Sequence, residues 1–157
     1  MFVLGQDLAL YDTFQRQIES CDKQIEAYLK TLVDSTPEPE APLPAARSRR
    51  RTHRNEPHFD VRTTLHHLLR TDLSQIDGIG PYSALRLVSE IGKDMSRWPT
   101  AANHFTSWTT LAPQNKISGG RVLSSRTQPS GCRTAAILRM AAMSVGPYPD
   151  RARRLLP

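Results

Sequence analysis

Apolar residues Leu4, Leu8, Tyr11, Phe14, Ile18, Cys21, Ile25, Tyr28 and Leu32 recur at steps of three and four, separated by Asp12, Gln15, Glu19, Lys23 and Glu26. A seam kept over about four heptads predicts one long helix across residues 1–33, of the kind that pairs in a coiled coil. The same stripe also fits an amphipathic helix folded onto its own chain. The rest of the sequence offers little apolar surface to cover so long a stripe, which favours self-association.

The pattern stops at Asp34. Residues 34–58 form a Pro/Arg-rich linker: the run from Pro37 to Pro44 cannot hold a helix and is expected extended and solvated, and Arg47, Arg49, Arg50, Arg51 and Arg54 follow it. From Phe59 to Arg70 a short helix turns Val61, Leu65, Leu68 and Leu69 inward and leaves His66 and His67 at its surface or edge. Ile76, Asp77, Gly78, Ile79 and Gly80 read as a hairpin, and Pro81 opens the next helix, where its fixed φ is pre-organised and its missing N–H is no loss. That helix carries Leu85, Val88 and Ile91 on one side and stops at Gly92. A further helix from Ala101 to Leu111 places Phe105, Trp108 and Leu111 at core spacing. Between Pro113 and Gly131 the chain is polar, without helical period, and is expected to be a loop. Cys132 to Val145 closes the pattern as a helix.

The fold class is mainly α: a long coiled-coil-like helix, a Pro/Arg-rich linker, and a small helical domain over residues 59–146 with a helix-hairpin-helix and a basic Ser/Gly loop. Residues 147–157, broken by Pro147 and Pro149, are expected to form an irregular, aberrant tail resembling a frame-shifted end.

Charge sharpens this division. Residues 1–44 hold 3 basic and 8 acidic side chains, residues 45–115 hold 10 and 6, and residues 116–157 hold 8 and 1. The basic end is the candidate for a polyanion. Cys21 and Cys132 lie far apart in unlike segments, which indicates no disulfide framework and fits a reducing, cytoplasmic setting. No apolar run is long enough to span a bilayer, so no membrane partner is expected. His53 and His58 lack Cys or carboxylate partners at ligand spacing, and no metal site is assigned.

Two stretches carry candidate chemistry. Gly78, Ile79 and Gly80 form a hairpin whose backbone N–H groups, at a helix N-terminus, suit a phosphate. Glycine there permits tight backbone angles and close approach of a ligand, and Ala84 lets two short helices cross closely. A capped corner without ligand fits the same spacing. Downstream, Ser118 stands before Gly119 and Gly120 and between Lys116 and Arg121, with Arg126 and Arg133 following. A serine hydroxyl is a weak nucleophile without a base, a metal or a strongly stabilised transition state. The residues alone therefore read as a phosphate-binding loop, with nucleophile the minority view. Arg49, Arg50 and Arg51 can follow a nucleic-acid backbone by counterion release or serve as a solvated charge run.

The ordered runs Gln75–Gly80, Ser89–Pro99 and His104–Ser124 resemble the C-terminal transposase domain of the IS one-ten family of bacterial insertion-sequence transposases, also called the DEDD transposases. The preceding helix and linker resemble the region that joins that family's two domains. The resemblance implies a recombinase with an RNase H-like domain holding four acidic residues and a divalent metal, and a second domain holding an essential serine. It further implies a composite site in which the serine attacks a DNA phosphodiester, a structured guide RNA (the bridge RNA) as a partner, and assembly as oligomers. Ser118 occupies the family serine's position, a few residues after the Leu111-Ala112-Pro113 turn, and Lys116, Arg121 and Arg126 would balance charge on the phosphorane.

The chain departs from the pattern at Ser125 and Arg126, where many relatives carry Gly and Lys. It starts at the connecting helix, so the metal is expected on a separate N-terminal domain and the chain is expected to be inactive alone. Two functions follow: a DNA-transposition enzyme part carrying Ser118, or a catalytically inactive DNA- or RNA-binding and dimerisation fragment able to join an intact transposase through its first helix. A general hairpin-type DNA-repair accessory protein would need neither Ser118 nor the heptad helix.

Overall fold

The computed structural model describes residues 2–46, 56–98 and 100–145. Arg47, Arg49, Arg50, Arg51, Arg54 and the segment 147–157 lie outside them. The chain divides into two compact units between Gln75 and Ile76.

In the first unit, α1 (Phe2–Asp34) is a single helix of 33 residues, as the heptad spacing predicts. It packs against α2 (Val61–Leu69). Leu29, buried to 6% exposure, lies beside the seam rather than on it, while the seam residues from Leu4 to Tyr28 remain exposed, from Leu4 at 65% to Tyr11 at 38%. Leu32, the last residue of the seam, is half-buried.

Asp60 caps α2: its Oδ1 accepts from the Thr63 N–H at 3.1 Å and its Oδ2 from the Thr63 hydroxyl at 2.6 Å, satisfying first-turn donors that the helix cannot. The Thr63 hydroxyl bond is the main cause of an Asp60 pKa below the usual carboxylate value. Val61, Leu65 and Leu68 are buried as predicted. His66 is buried with them rather than at the helix surface or edge expected for it, while His67 is half-buried. The linker does not run free here: with Lys30, Val33 and Asp34 at the end of α1, residues Pro39, Pro42 and Leu43 wall a cleft of about 670 Å³ that His66 and His67 also line.

The linker's end is pinned. Arg62 Nη2 donates to the Pro44 carbonyl at 2.6 Å, and Gln75 Nε2 donates to the Ala45 carbonyl at 3.0 Å. The same Arg62 pairs with buried Asp72, Nη2 to Oδ2 at 2.5 Å, and Asp72 Oδ1 accepts from the Ser74 N–H at 3.0 Å and hydroxyl at 2.6 Å. Burial pushes the Asp72 carboxyl up, but the bonds from Arg62, Ser74 and Gln75 outweigh it and hold the group well below its ordinary value.

In the second unit, α3 (Pro81–Ile91) packs against the helix Arg133–Val145. Ala84 and Leu87 are the buried α3 residues, with Leu85, Val88 and Ile91 half-buried around them. Gly92 ends the helix at φ 81°, its N–H donating to the Val88 carbonyl at 2.8 Å, a C-terminal geometry that glycine adopts cheaply.

The helix expected over Ala101–Leu111 is shorter and less regular. A π-turn, Ala101–Phe105, runs into α4 (Thr106–Trp108), and the chain leaves the helix at Thr110, φ 56°. The hydroxyl of fully buried Thr109 donates to the Phe105 and Thr106 carbonyls at 2.9 and 3.1 Å, a back-bonding that competes with helix continuation. Trp98, Phe105 and Trp108 still form one cluster, with centroids 5.2 to 5.9 Å apart. Trp98 is its buried member, and Trp108 keeps nearly half its surface open.

The segment expected to be an irregular loop contains two strands, β1 (Lys116–Ser118) and β2 (Arg121–Ser124), paired antiparallel. The last helix, α5 (Arg133–Val145), buries Thr134, Ala135, Ile137, Ala141 and Val145.

Candidate nucleic-acid interface

The hairpin at Ile76–Gly80 places its residues differently from a purely ligand-facing turn. Gly78 has φ 85° and needs to be glycine, whereas Gly80 sits at φ −94°, ψ 171°, extended backbone open to any residue. The Ile79 N–H donates to the Ile76 carbonyl at 3.1 Å, and its side chain is buried, so that amide is engaged within the turn. A Cβ on Gly78 would fall 2.5 Å from the Ala141 carbonyl oxygen and 2.9 Å from Ser144 Oγ. The close approach this glycine permits is therefore that of α5. Donors at the start of α3 come from helix geometry itself: Gly80 is the N-cap without a side-chain cap, and Pro81 brings no N–H.

Beside that terminus stand two residues that sequence reasoning passed over. Arg86 lies with its guanidinium carbon 5.9 Å from the centre of the Tyr82 ring, one turn along α3. The Tyr-x-x-x-Arg spacing after Pro81 was the available signal.

The serine segment is a ribbon. Ile117 pairs with Val122 and Ser118 with Arg121, and the register shifts between Lys116 and Ile117, where Lys116 meets Ser124. Residues opposite one another share a face, and alternate residues along a strand do too. Lys116, Ser118 and Arg121 therefore occupy one face, and Ile117 and Val122 the other. Gly119 and Gly120, at φ 55° and 75°, form the reversal, the two positive angles that suit a tight hairpin with right-handed strand twist. A Cβ at either would meet nothing within 4 Å, so the tip stands clear. At the base the Gln114 N–H donates to the Arg126 carbonyl at 3.1 Å.

The ribbon thus gathers Lys116, Ser118, Gly119, Gly120 and Arg121, all exposed, with Arg126 exposed at its foot. From Pro113 to Arg133 the sequence holds four cations and no acidic residue. Arg133 is spoken for in part: its Nη1 lies 3.2 Å from Glu90 Oε1, joining the start of α5 to α3 through a solvated pair of small energetic worth. Among the described residues no group of three or more His, Cys, Asp or Glu could hold a metal ion.

The family model described as Transposase IS116/IS110/IS902 family matches residues 70–155. The chain belongs to that family. The match takes in the hairpin, α3, the aromatic cluster, the serine ribbon and α5, and leaves α1 outside it. No curated protein and no solved structure matches the chain. Membership makes this a transposase-family protein of DNA transposition, a DNA-recombining class of enzyme that interacts with DNA. No helix among the described residues is long and apolar enough to cross a membrane.

Proposed function

We propose that this transposase-family chain holds DNA on the cationic face of its ribbon and supplies Ser118 as the nucleophile of strand exchange. The observation that carries this reading is the register: Ser118 lies across from Arg121, on the face of Lys116, at a tip clear of the rest of the unit. A phosphate oxygen held by those two cations would sit beside the Ser118 hydroxyl, and the same cations would meet charge gathering on the phosphorane. Attack forms an Oγ–P bond as one sugar P–O bond breaks, and the proton passes from the serine to the released sugar hydroxyl. The number of P–O ester bonds is unchanged, so reversal onto a new strand needs no nucleotide cofactor.

The divalent metal implied by the resemblance has no ligand set among the described residues. The resemblance assigns it to an RNase H-like domain, and the contribution proposed for this chain is binding, orientation and the hydroxyl. Gly78 and Ile79 shape the hairpin against α5, while the α3 N-terminus behind Gly80, with Arg86, offers a second phosphate contact. Arg49, Arg50 and Arg51 are a further candidate for backbone phosphates, and a structured guide RNA is a further polyanion that these cations suit. The open α1 seam supports homo-oligomerisation or joining an intact transposase.

The second reading, a non-catalytic binding and dimerisation fragment, is favoured by the absence of an acidic residue or histidine between Pro113 and Arg133. Supplying a metal-bearing RNase H-like domain in trans with a DNA substrate separates the two. A covalent DNA adduct mapped by mass spectrometry to Ser118, and lost in Ser118→Ala, supports the nucleophile. DNA retention without adduct in either protein supports the binding fragment.

A further inference from the structure

Behind the cationic face of the ribbon lies an apolar one. Ile117 is 64% exposed, Val122 58%, and Leu123, at the register shift, 69%. A two-stranded ribbon is marginal in water by itself, and a directly paired, exposed Ile117 and Val122 call for an occupant. Charge indicates which. Every charged residue from Pro113 to Arg133 is a cation, the complement of a polyanion.

We infer that the Ile117–Val122 face is a wedge that rests on unstacked nucleobases, a contact the cationic face does not make. This rests on the nucleic-acid reading of the ribbon and adds to it the form of DNA preferred. Aliphatic side chains inserted at a base step displace stacking partners and open the duplex. Lys116, Arg121 and Arg126 hold the flanking phosphates. The two faces then meet different parts of one opened substrate: the phosphodiester on the Ser118 side, and bases freed from their stack on the Ile117 side. The register shift past Ile117 leaves Leu123 of β2 without a partner, an irregularity of the kind that increases local twist, and a Cβ at Gly119 or Gly120 would meet nothing within 4 Å. The wedge selects DNA that is already unpaired, because the unstacking cost is then smaller.

The test uses the whole chain and two synthetic DNAs of one sequence, fully paired or carrying a short mismatched bubble, with 2-aminopurine at the unpaired position. The chain binds the bubble about tenfold more tightly, equivalent to about 1.4 kcal/mol, and raises 2-aminopurine fluorescence. The double variant Ile117→Thr, Val122→Thr keeps β-branched residues in both strands. It loses the preference and the fluorescence rise, and retains affinity for paired DNA and its salt dependence. Equal binding of both DNAs by the unaltered chain, without a fluorescence change, overturns the wedge while leaving the cationic ribbon in place. Binding to neither DNA overturns the underlying reading. If the double variant instead keeps the bubble preference and loses self-association in sedimentation, the apolar face is a protein interface and the wedge is wrong.

Discussion

A side chain at Gly78 would meet the backbone of Ala141, with 2.5 Å left between the new Cβ and the carbonyl oxygen. The hairpin glycine is a packing residue for α5. Gly78→Ala also imposes φ 85° on a residue with a Cβ, so left-handed strain, on the order of 1 kcal/mol, adds to an overpacking cost of about 1–3 kcal/mol. The expected result is a lower midpoint in urea unfolding. Gly120→Ala, also at positive φ but with open space around it, carries the strain alone and falls less. Equal losses at the two sites would show that α5 does not close on the hairpin.

Asp72 and Arg62 form the anchor of the first unit. Asp72→Asn leaves a guanidinium that is largely enclosed without its counter-charge, and about 3–5 kcal/mol of stability is lost by the measure of broken buried pairs. The folded carboxyl sits below its unfolded value, so its contribution is full above about pH 5 and fades as acid protonates the group on the way down to its lower folded pKa. Thermal melts from neutral pH to pH 3 therefore show a steeper decline for the parent than for Asp72→Asn. Parallel declines would remove Asp72 from the account.

The exposed seam of α1 makes Cys21 a built-in reporter. It is exposed and lies on the repeat with Ile18 and Ile25. Self-association appears as concentration-dependent mass in sedimentation, and Ile18→Asp with Ile25→Asp reduces it to monomer while leaving helical signal from the second unit. A parallel, in-register pair also gives a Cys21 disulfide under mild oxidation. Sedimentation as a monomer at every concentration would remove the seam from the assembly.

Ser118→Ala should separate chemistry from binding. With a metal-bearing domain supplied, the variant yields no covalent DNA adduct, yet its affinity for duplex DNA changes less than twofold, because a neutral hydroxyl contributes little beside Lys116 and Arg121. A large loss of affinity would mean that Ser118 is a binding residue instead.

The helical parts of the fold were legible because each rests on one local signal: the three–four spacing of α1, Pro81 at the start of α3, and Gly92 at its end. The ribbon was missed although Ser-Gly-Gly-Arg between Lys-Ile and Val-Leu carries a two-glycine hairpin signal; a polar, serine-rich surrounding hid so short an alternation. His66 lines one cleft with the linker residues Pro39, Pro42 and Leu43, surroundings that the pattern of its own helix does not contain. Thr109 ends α4 through a hydroxyl bond that competes with an otherwise plausible apolar spacing. The gathering of Lys116, Ser118 and Arg121 was readable as composition, but their sharing of one face depends on a register that composition does not contain.

The most direct measurement of the ribbon's role is duplex DNA affinity across a salt series for the parent chain and for Lys116→Ala, Arg121→Ala and Arg126→Ala. Each cation that neutralises a phosphate contributes about 0.9 to the slope of log affinity against log salt on duplex DNA. The account predicts that the slope of each ribbon variant falls by roughly that amount, while Arg133→Ala, whose guanidinium is shared with Glu90, changes it less. Unchanged slopes for Lys116→Ala and Arg121→Ala, with DNA still bound, would place the phosphates elsewhere and contradict the assignment of the Ser118 face.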